Sequence, residues 1–75
     1  MRLHCFYTDE VKAGKRFVAF YGDGSGANLF RKDKDGNYYD TDGEFLSQDW
    51  FIDSGYIDFA YLPDDFKFWS EVKNK

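Results

Sequence analysis

Three glycine-bearing turn sequences constrain this chain more than any other feature. Gly22-Asp23-Gly24-Ser25-Gly26, Lys34-Asp35-Gly36-Asn37 and Thr41-Asp42-Gly43-Glu44 combine glycine, which takes positive φ cheaply, with Asp, Asn and Ser, whose short side chains bond nearby backbone. Turns spaced roughly ten residues apart, with aromatic and β-branched runs between them, describe an antiparallel meander. Residues 16–21 supply the strongest strand, through Phe17, Val18, Phe20 and Tyr21. Residues 28–32 make the return strand and 38–40 a short third one. Residues 3–7 read as a first strand, with Leu3, Cys5 and Tyr7 on one side and His4 and Phe6 on the other.

The pattern then changes. Ser47 suits an N-cap, Asp49 falls in the first turn, and Leu46 is spaced to pack on Phe51. Gly55 suits the position just past a helix end, so a short helix is expected over 48–54. Residues 56–62 alternate again, with Ile57, Phe59 and Tyr61 on one face and Tyr56, Asp58 and Ala60 on the other. After Pro63-Asp64-Asp65, residues 66–72 suit either a strand or a helix. The strand is favoured, because the connection is of hairpin length. The expectation is one α+β domain over residues 1–75: an antiparallel sheet of about five strands with one short helix.

Seventeen of the 75 residues are aromatic. Each ring buries ~150–250 Å², so the rings can supply the core that a short chain otherwise lacks. Trp50 and Trp69 are read as core residues. Cys5 is alone, which excludes an internal disulfide and fits a reducing, cytoplasmic setting. No signal-peptide pattern and no long apolar run occurs, so no membrane partner is expected.

Charge is unevenly placed. The formal net charge is −4, yet residues 35–66 hold nine carboxylates and neither Lys nor Arg. Residues 1–34 carry seven bases against four acids. A fold that keeps these segments apart has an acidic and a basic side.

Two local resemblances follow. Asp33-Lys34-Asp35-Gly36-Asn37-Tyr38-Tyr39-Asp40-Thr41-Asp42-Gly43-Glu44 resembles an EF-hand calcium loop. That likeness implies side-chain ligands at Asp33, Asp35 and Asn37, a carbonyl ligand at Tyr39 and a closing acid at Glu44. It departs at Tyr38, where the loop calls for glycine, and at Asp40, where an apolar residue is usual. Acidic hairpin turns account for the same residues, and no metal or other cofactor is expected. Gly14-Lys15-Arg16-Phe17-Val18-Ala19-Phe20 is similar to the end of the RNA-binding signature of RRM proteins. That likeness implies base stacking on Phe17 and Phe20 beside phosphate contacts from Lys15 and Arg16.

One His, one Cys and no nucleophile or metal-ligand spacing leave no catalytic residue to name, so no enzyme is expected. The leading expectation is a small binding protein, of the phage-accessory kind, that offers an acidic, aromatic-rich face to a basic protein. The concrete form is an inhibitor or modulator of a nucleic-acid-binding protein. Asp40, Asp42, Glu44, Asp49, Asp53 and Asp58 would form the contact, with Tyr39 as an anchor. The alternative is single-strand nucleic-acid binding through Lys15, Arg16, Phe17 and Phe20. A third reading is a homo-oligomer, such as a homodimer, held by spare aromatic surface.

Overall fold

The computed structural model describes residues 2–68. Its elements in chain order are β1 (His4–Cys5), β2 (Arg16–Tyr21), β3 (Ala27–Lys32), β4 (Tyr38–Asp40), β5 (Phe45–Leu46), α1 (Gln48–Asp53) and β6 (Tyr56–Tyr61). The six strands form one antiparallel sheet in the order β1-β6-β2-β3-β4-β5. The α+β architecture expected from the turns is present, and the expected meander is the β2-β3-β4-β5 half of the sheet.

The remaining half follows from strand direction. Because β6 is antiparallel to β2, it runs the same way as β5, with β2, β3 and β4 between them. Two strands of like direction cannot be joined by a hairpin, so the chain must cross a face of the sheet. Helix α1 lies in that crossing.

Cross-strand register decides what it covers. Phe17 faces Phe30 and Tyr61, Ala19 faces Phe59, and Lys32 faces Tyr38, all on one face. Helix α1 lays Phe51 onto the rings of Phe17, Phe30 and Tyr38 at centroid distances of 5.7, 4.9 and 5.0 Å. Phe6 stacks on Phe51 from the β1 side, at 5.3 Å. The resulting core joins Val11, Phe17, Ala19, Phe30, Tyr38, Phe51, Tyr56 and Phe59. Most of these contacts are edge-on or tilted, as ring quadrupoles favour.

Two glycines fix the geometry at the end of α1. Gly55 has φ +97° and donates its N–H to Ile52 O at 3.0 Å, closing the helix as the sequence suggests. Its own carbonyl accepts the N–H of Gly22 at 3.0 Å, which clasps the helix end to the β2–β3 turn. A Cβ on Gly22 would overlap the Ile57 side chain. Only glycine allows so close an approach.

The acidic turns after β3 and β4 are built alike. Oδ1 of Asp33 accepts the N–H groups of Asp35 and Asn37, and Oδ1 of Asp40 accepts those of Asp42 and Glu44, all at 2.9 Å. In each turn a glycine with positive φ follows, Gly36 at +89° and Gly43 at +88°. This repeated Asx turn gives the sequence its likeness to a calcium loop. Strand β4 holds the turns at opposite ends of the sheet, so Asp33 and Glu44 cannot close on one ion. Among the described residues no group of three His, Cys, Asp or Glu side chains is placed to hold a metal.

The first of these turns makes an acid-sensitive contribution. The Asn37 N–H chiefly, together with that of Asp35, holds the Asp33 carboxyl below its ordinary 3.8. A carboxylate depressed in the folded state adds stability above its unfolded pKa, lost as pH falls through the folded one. Asp33→Ala is therefore expected to destabilise at neutral pH, with the gap to wild type narrowing below 3.8. Urea midpoints taken across that range check it; a gap independent of pH would show that the carboxylate charge is not the cause.

Several details depart from expectation. The first strand is shorter than residues 3–7, and Leu3 and Tyr7 are exposed. Phe45 and Leu46 form a strand that was not expected. Tyr56 points into the core, not outward with Asp58, because the register shifts between Phe20 and Tyr21. Residues 66–68 are not strand, and the rest of the segment expected over 66–72, with Trp69, lies outside the described residues.

Candidate functional site

Charged groups gather at both ends of the strands, mixed in sign at one and acidic at the other. At one end lie the start of β2 and the finish of β3, bringing Lys15, Arg16, Arg31, Lys32 and Lys34 around a small cavity of about 210 Å³. At the other lie the β2–β3 and β4–β5 turns, which carry Asp23, Asp40, Asp42 and Glu44 without a Lys or Arg. The uneven charge of the sequence is only partly kept apart in the fold, since Asp33 lines the cavity with the Lys and Arg residues, Asp64 pairs with Lys15, and Glu10 lies beside Lys32.

The acidic end opens into the larger cavity, a cleft of about 680 Å³ on the helix-covered face. That volume is in the usual range for ligand pockets, ~300–1,000 Å³. Its aromatic walls are Tyr21, Phe30, Trp50 and Tyr56, with Leu46 beside them. Its rim is Asp40, Thr41 and Glu44, and Asn28 completes the polar lining.

Each wall is held by ring packing. Tyr21 and Tyr56 stack at 4.2 Å, with their planes 15° apart. The half-buried Trp50 meets Phe30 at 5.9 Å and Tyr56 at 5.7 Å, so the core supports its ring while one side stays accessible. Asn28 Nδ2 donates to the Tyr56 hydroxyl at 2.8 Å. Burial, followed by the hydrogen bond to Tyr21, raises the Tyr56 phenol above its ordinary 10.0, so Tyr56 stays neutral.

The rim acids differ in duty. Asp40 Oδ1 is committed to the turn, which fixes the carboxylate in place. Glu44 contributes its backbone to the same turn, N–H to Asp40 Oδ1 and O to Asp40 N–H. Its exposed carboxylate has no partner among the described residues. No Lys or Arg lines the cleft.

The expected contact set is therefore only partly assembled. Asp40 and Glu44 meet at the cleft, with Asp42 in the same turn. Asp49 and Asp53 lie exposed on α1, one helical turn apart. Asp58 and Tyr39 fall on the reverse face, Asp58 opposite Phe20 and Cys5, and Tyr39 opposite Arg31 and Phe45. The Arg31 guanidinium sits 4.3 Å from the Tyr39 ring centroid. Tyr39 is thus engaged within the molecule on the side away from the cleft.

The alternative nucleic-acid set does not assemble. Phe17 is 0% exposed at the centre of the core and has no face for a base. Phe20 lies half-buried on the opposite face of β2. Lys15 Nζ pairs with Asp64 Oδ1 at 2.8 Å, and hydrogen bonding to Lys15 holds the Asp64 carboxyl below its ordinary value. Arg16 also has interaction partners.

Sequence reasoning did not single out Tyr21, Asn28, Phe30, Trp50 or Tyr56 for the site. The accessible signal was Trp50 inside the acidic stretch; nothing in the sequence marks Asn28. Comparison with protein-family models, with curated proteins and with solved structures finds no match. Among the described residues no helix is long and apolar enough to cross a membrane.

Proposed function

We propose that this chain is a non-enzymatic binding protein whose acidic, aromatic cleft engages a basic protein. The observation that carries this reading is the coincidence of carboxylates and ring faces at one place, the Asp40–Glu44 rim over Trp50 and Tyr21. Charge steers such an encounter and favours partners of opposite sign, while rings that are already rigid add contact area at small entropic cost. A protein that binds nucleic acid displays a Lys/Arg groove, and occupation of that groove would inhibit or modulate it. The lone Cys5 and the absence of an expected disulfide favour a cytoplasmic setting for this encounter.

Charge reversal tests it. Asp40 holds its turn together, so Thr41→Lys with Glu44→Lys is the better variant; both side chains are exposed and neither takes part in the turn's hydrogen bonds. Tagged wild-type protein should retain a basic protein from lysate both with and without nuclease treatment and release it as salt is raised. The double variant should retain it at least roughly tenfold less well, whereas Asp49→Lys with Asp53→Lys on α1 should weaken retention by a smaller factor. Equal retention by the wild type and the Thr41/Glu44 variant would sink the reading, and recovery of nucleic acid alone would do so as well.

A further inference from the structure

We infer that the cleft at the acidic end is a receptor for an arginine side chain, presented by an extended segment of the basic partner. The inference deepens the proposed function and rests on it. A guanidinium has two needs that an ammonium lacks: a flat face to stack on and acceptors set for its planar fork of N–H donors. The cleft offers both. Trp50 meets Phe30 edge to face and Tyr56 at a tilt, and its half-buried indole lines the cavity. Indole is the strongest cation–π acceptor among the side chains.

Acceptors stand on the rim above it. Asp40 is fixed by the two N–H groups on its Oδ1, leaving Oδ2 without a partner among the described residues. Glu44 is tied only through its backbone, so its carboxylate can swing to meet a donor. Asn28, which also lines the cleft, is oriented by its bond to Tyr56 and has an amide oxygen as a further acceptor. Fixed and adjustable acceptors around a ring face match a guanidinium better than a compact ammonium.

Size argues for a peptide over a free cation. At about 680 Å³ the cleft has room for the arginine stem and its neighbouring residues. A segment crossing from the exposed β2–β3 turn to the β4–β5 turn would bring its arginine between Trp50 and Glu44.

The test uses ¹⁵N-labelled full-length protein and the pentapeptide acetyl-Gly-Gly-Arg-Gly-Gly-amide, with lysine and citrulline counterparts. Titration should move the Trp50 indole N–H and the amides of Asn28, Thr41 and Glu44. The lysine peptide should bind roughly fivefold more weakly, for want of stacking. The citrulline peptide, planar but uncharged, should cause no saturable shift. Glu44→Gln and Trp50→Phe should each weaken the arginine peptide roughly threefold to tenfold. Glu44→Gln leaves the turn's backbone bonds in place, and because Trp50 packs against Phe30 and Tyr56 the Trp50→Phe protein is compared only where its amide spectrum keeps the wild-type dispersion.

Equal affinity for arginine and lysine would overturn the inference. So would shifts spread over Asp49, Asp53 and Asp58, which mark diffuse attraction. No binding of the arginine peptide overturns it too, even where the Thr41/Glu44 reversal still abolishes capture of the basic protein; the proposed function then stands with another occupant. Loss of both would remove the two readings together.

Discussion

Phe17→Ala is expected to lower the free energy of unfolding by about 3–5 kcal/mol, the range for removing a ring from a packed core. Phe17 is 0% exposed and touches the rings of Phe6, Phe30, Tyr38, Phe51 and Phe59 at centroid distances of 5.7–6.3 Å. It therefore joins the helix to four strands and the chain after β1. Deletion of the ring removes its transfer free energy and leaves a cavity between elements whose own rings prevent collapse. A chain of this size has a total stability of ~4–11 kcal/mol, so the loss is a large share of the whole. Urea unfolding followed by circular dichroism checks this, with the slope unchanged if both states keep their character. Phe45, on the reverse face and 63% exposed, is the control. Phe45→Ala should stay within about 0.5 kcal/mol of wild type. Comparable losses at the two positions would contradict the placement of the core on the α1 side.

The contrast between Phe17 and Phe45 also shows what can be read from the chain. Turn chemistry is local: Gly24, Gly36, Gly43 and Gly55 all adopt the positive φ that their sequence contexts suggest. The hairpin strands and the helix follow from those turns with little else. Strand Phe45–Leu46 escaped because two residues show no period, and its pairing with β4 depends on a turn whose geometry sets the register. Tyr56 turned inward for a non-local reason, the shift in pairing between β2 and β6.

The cleft was legible in part. Asp40 and Glu44 could be named because charge pattern survives in sequence. Their separation from Asp58 and Tyr39 was latent in strand alternation, since Asp58 adjoins the inward Phe59 and Tyr39 adjoins the inward Tyr38. The aromatic walls come from β2, β3, α1 and β6, and only the crossing of α1 unites them. No window along the chain contains that information.

Lys32 is a side chain whose place the sequence pattern does not reveal, and it carries the second large effect. Lysine at the end of a strand reads as exterior, yet Lys32 is 7% exposed. Register puts it opposite Tyr38 on the covered face, with Nζ 5.0 Å from that ring centroid. An ammonium so placed must be hydrogen-bonded. Nζ donates to Val11 O at 2.8 Å and lies 3.5 Å from Glu10 Oε2. Val11 is itself a core residue, on the connection between β1 and β2, which forms no regular element. The same connection is held by the Lys12 N–H on the Tyr61 hydroxyl at 3.0 Å and the Gly14 N–H on Asp33 O at 3.2 Å. Lys32 thus pins a loop over the end of the core. Lys32→Met keeps the apolar stem and removes the donor, and should cost about 1.5–3 kcal/mol, as for a hydrogen bond to a charged group. Replacing a whole buried ion pair by apolar groups is often neutral, but here the Val11 carbonyl stays behind without its donor. Glu10 is 70% exposed, so Glu10→Gln should cost no more than about 1 kcal/mol. Urea midpoints give the stability difference, and amide exchange locates it: protection at Val11 and Lys12 should fall further than at Val18 or Ala19. A neutral Lys32→Met would show that the stem and not the ammonium holds the loop, and a loss of protection spread evenly over β2 would show that Lys32 acts on the whole fold and not on that loop.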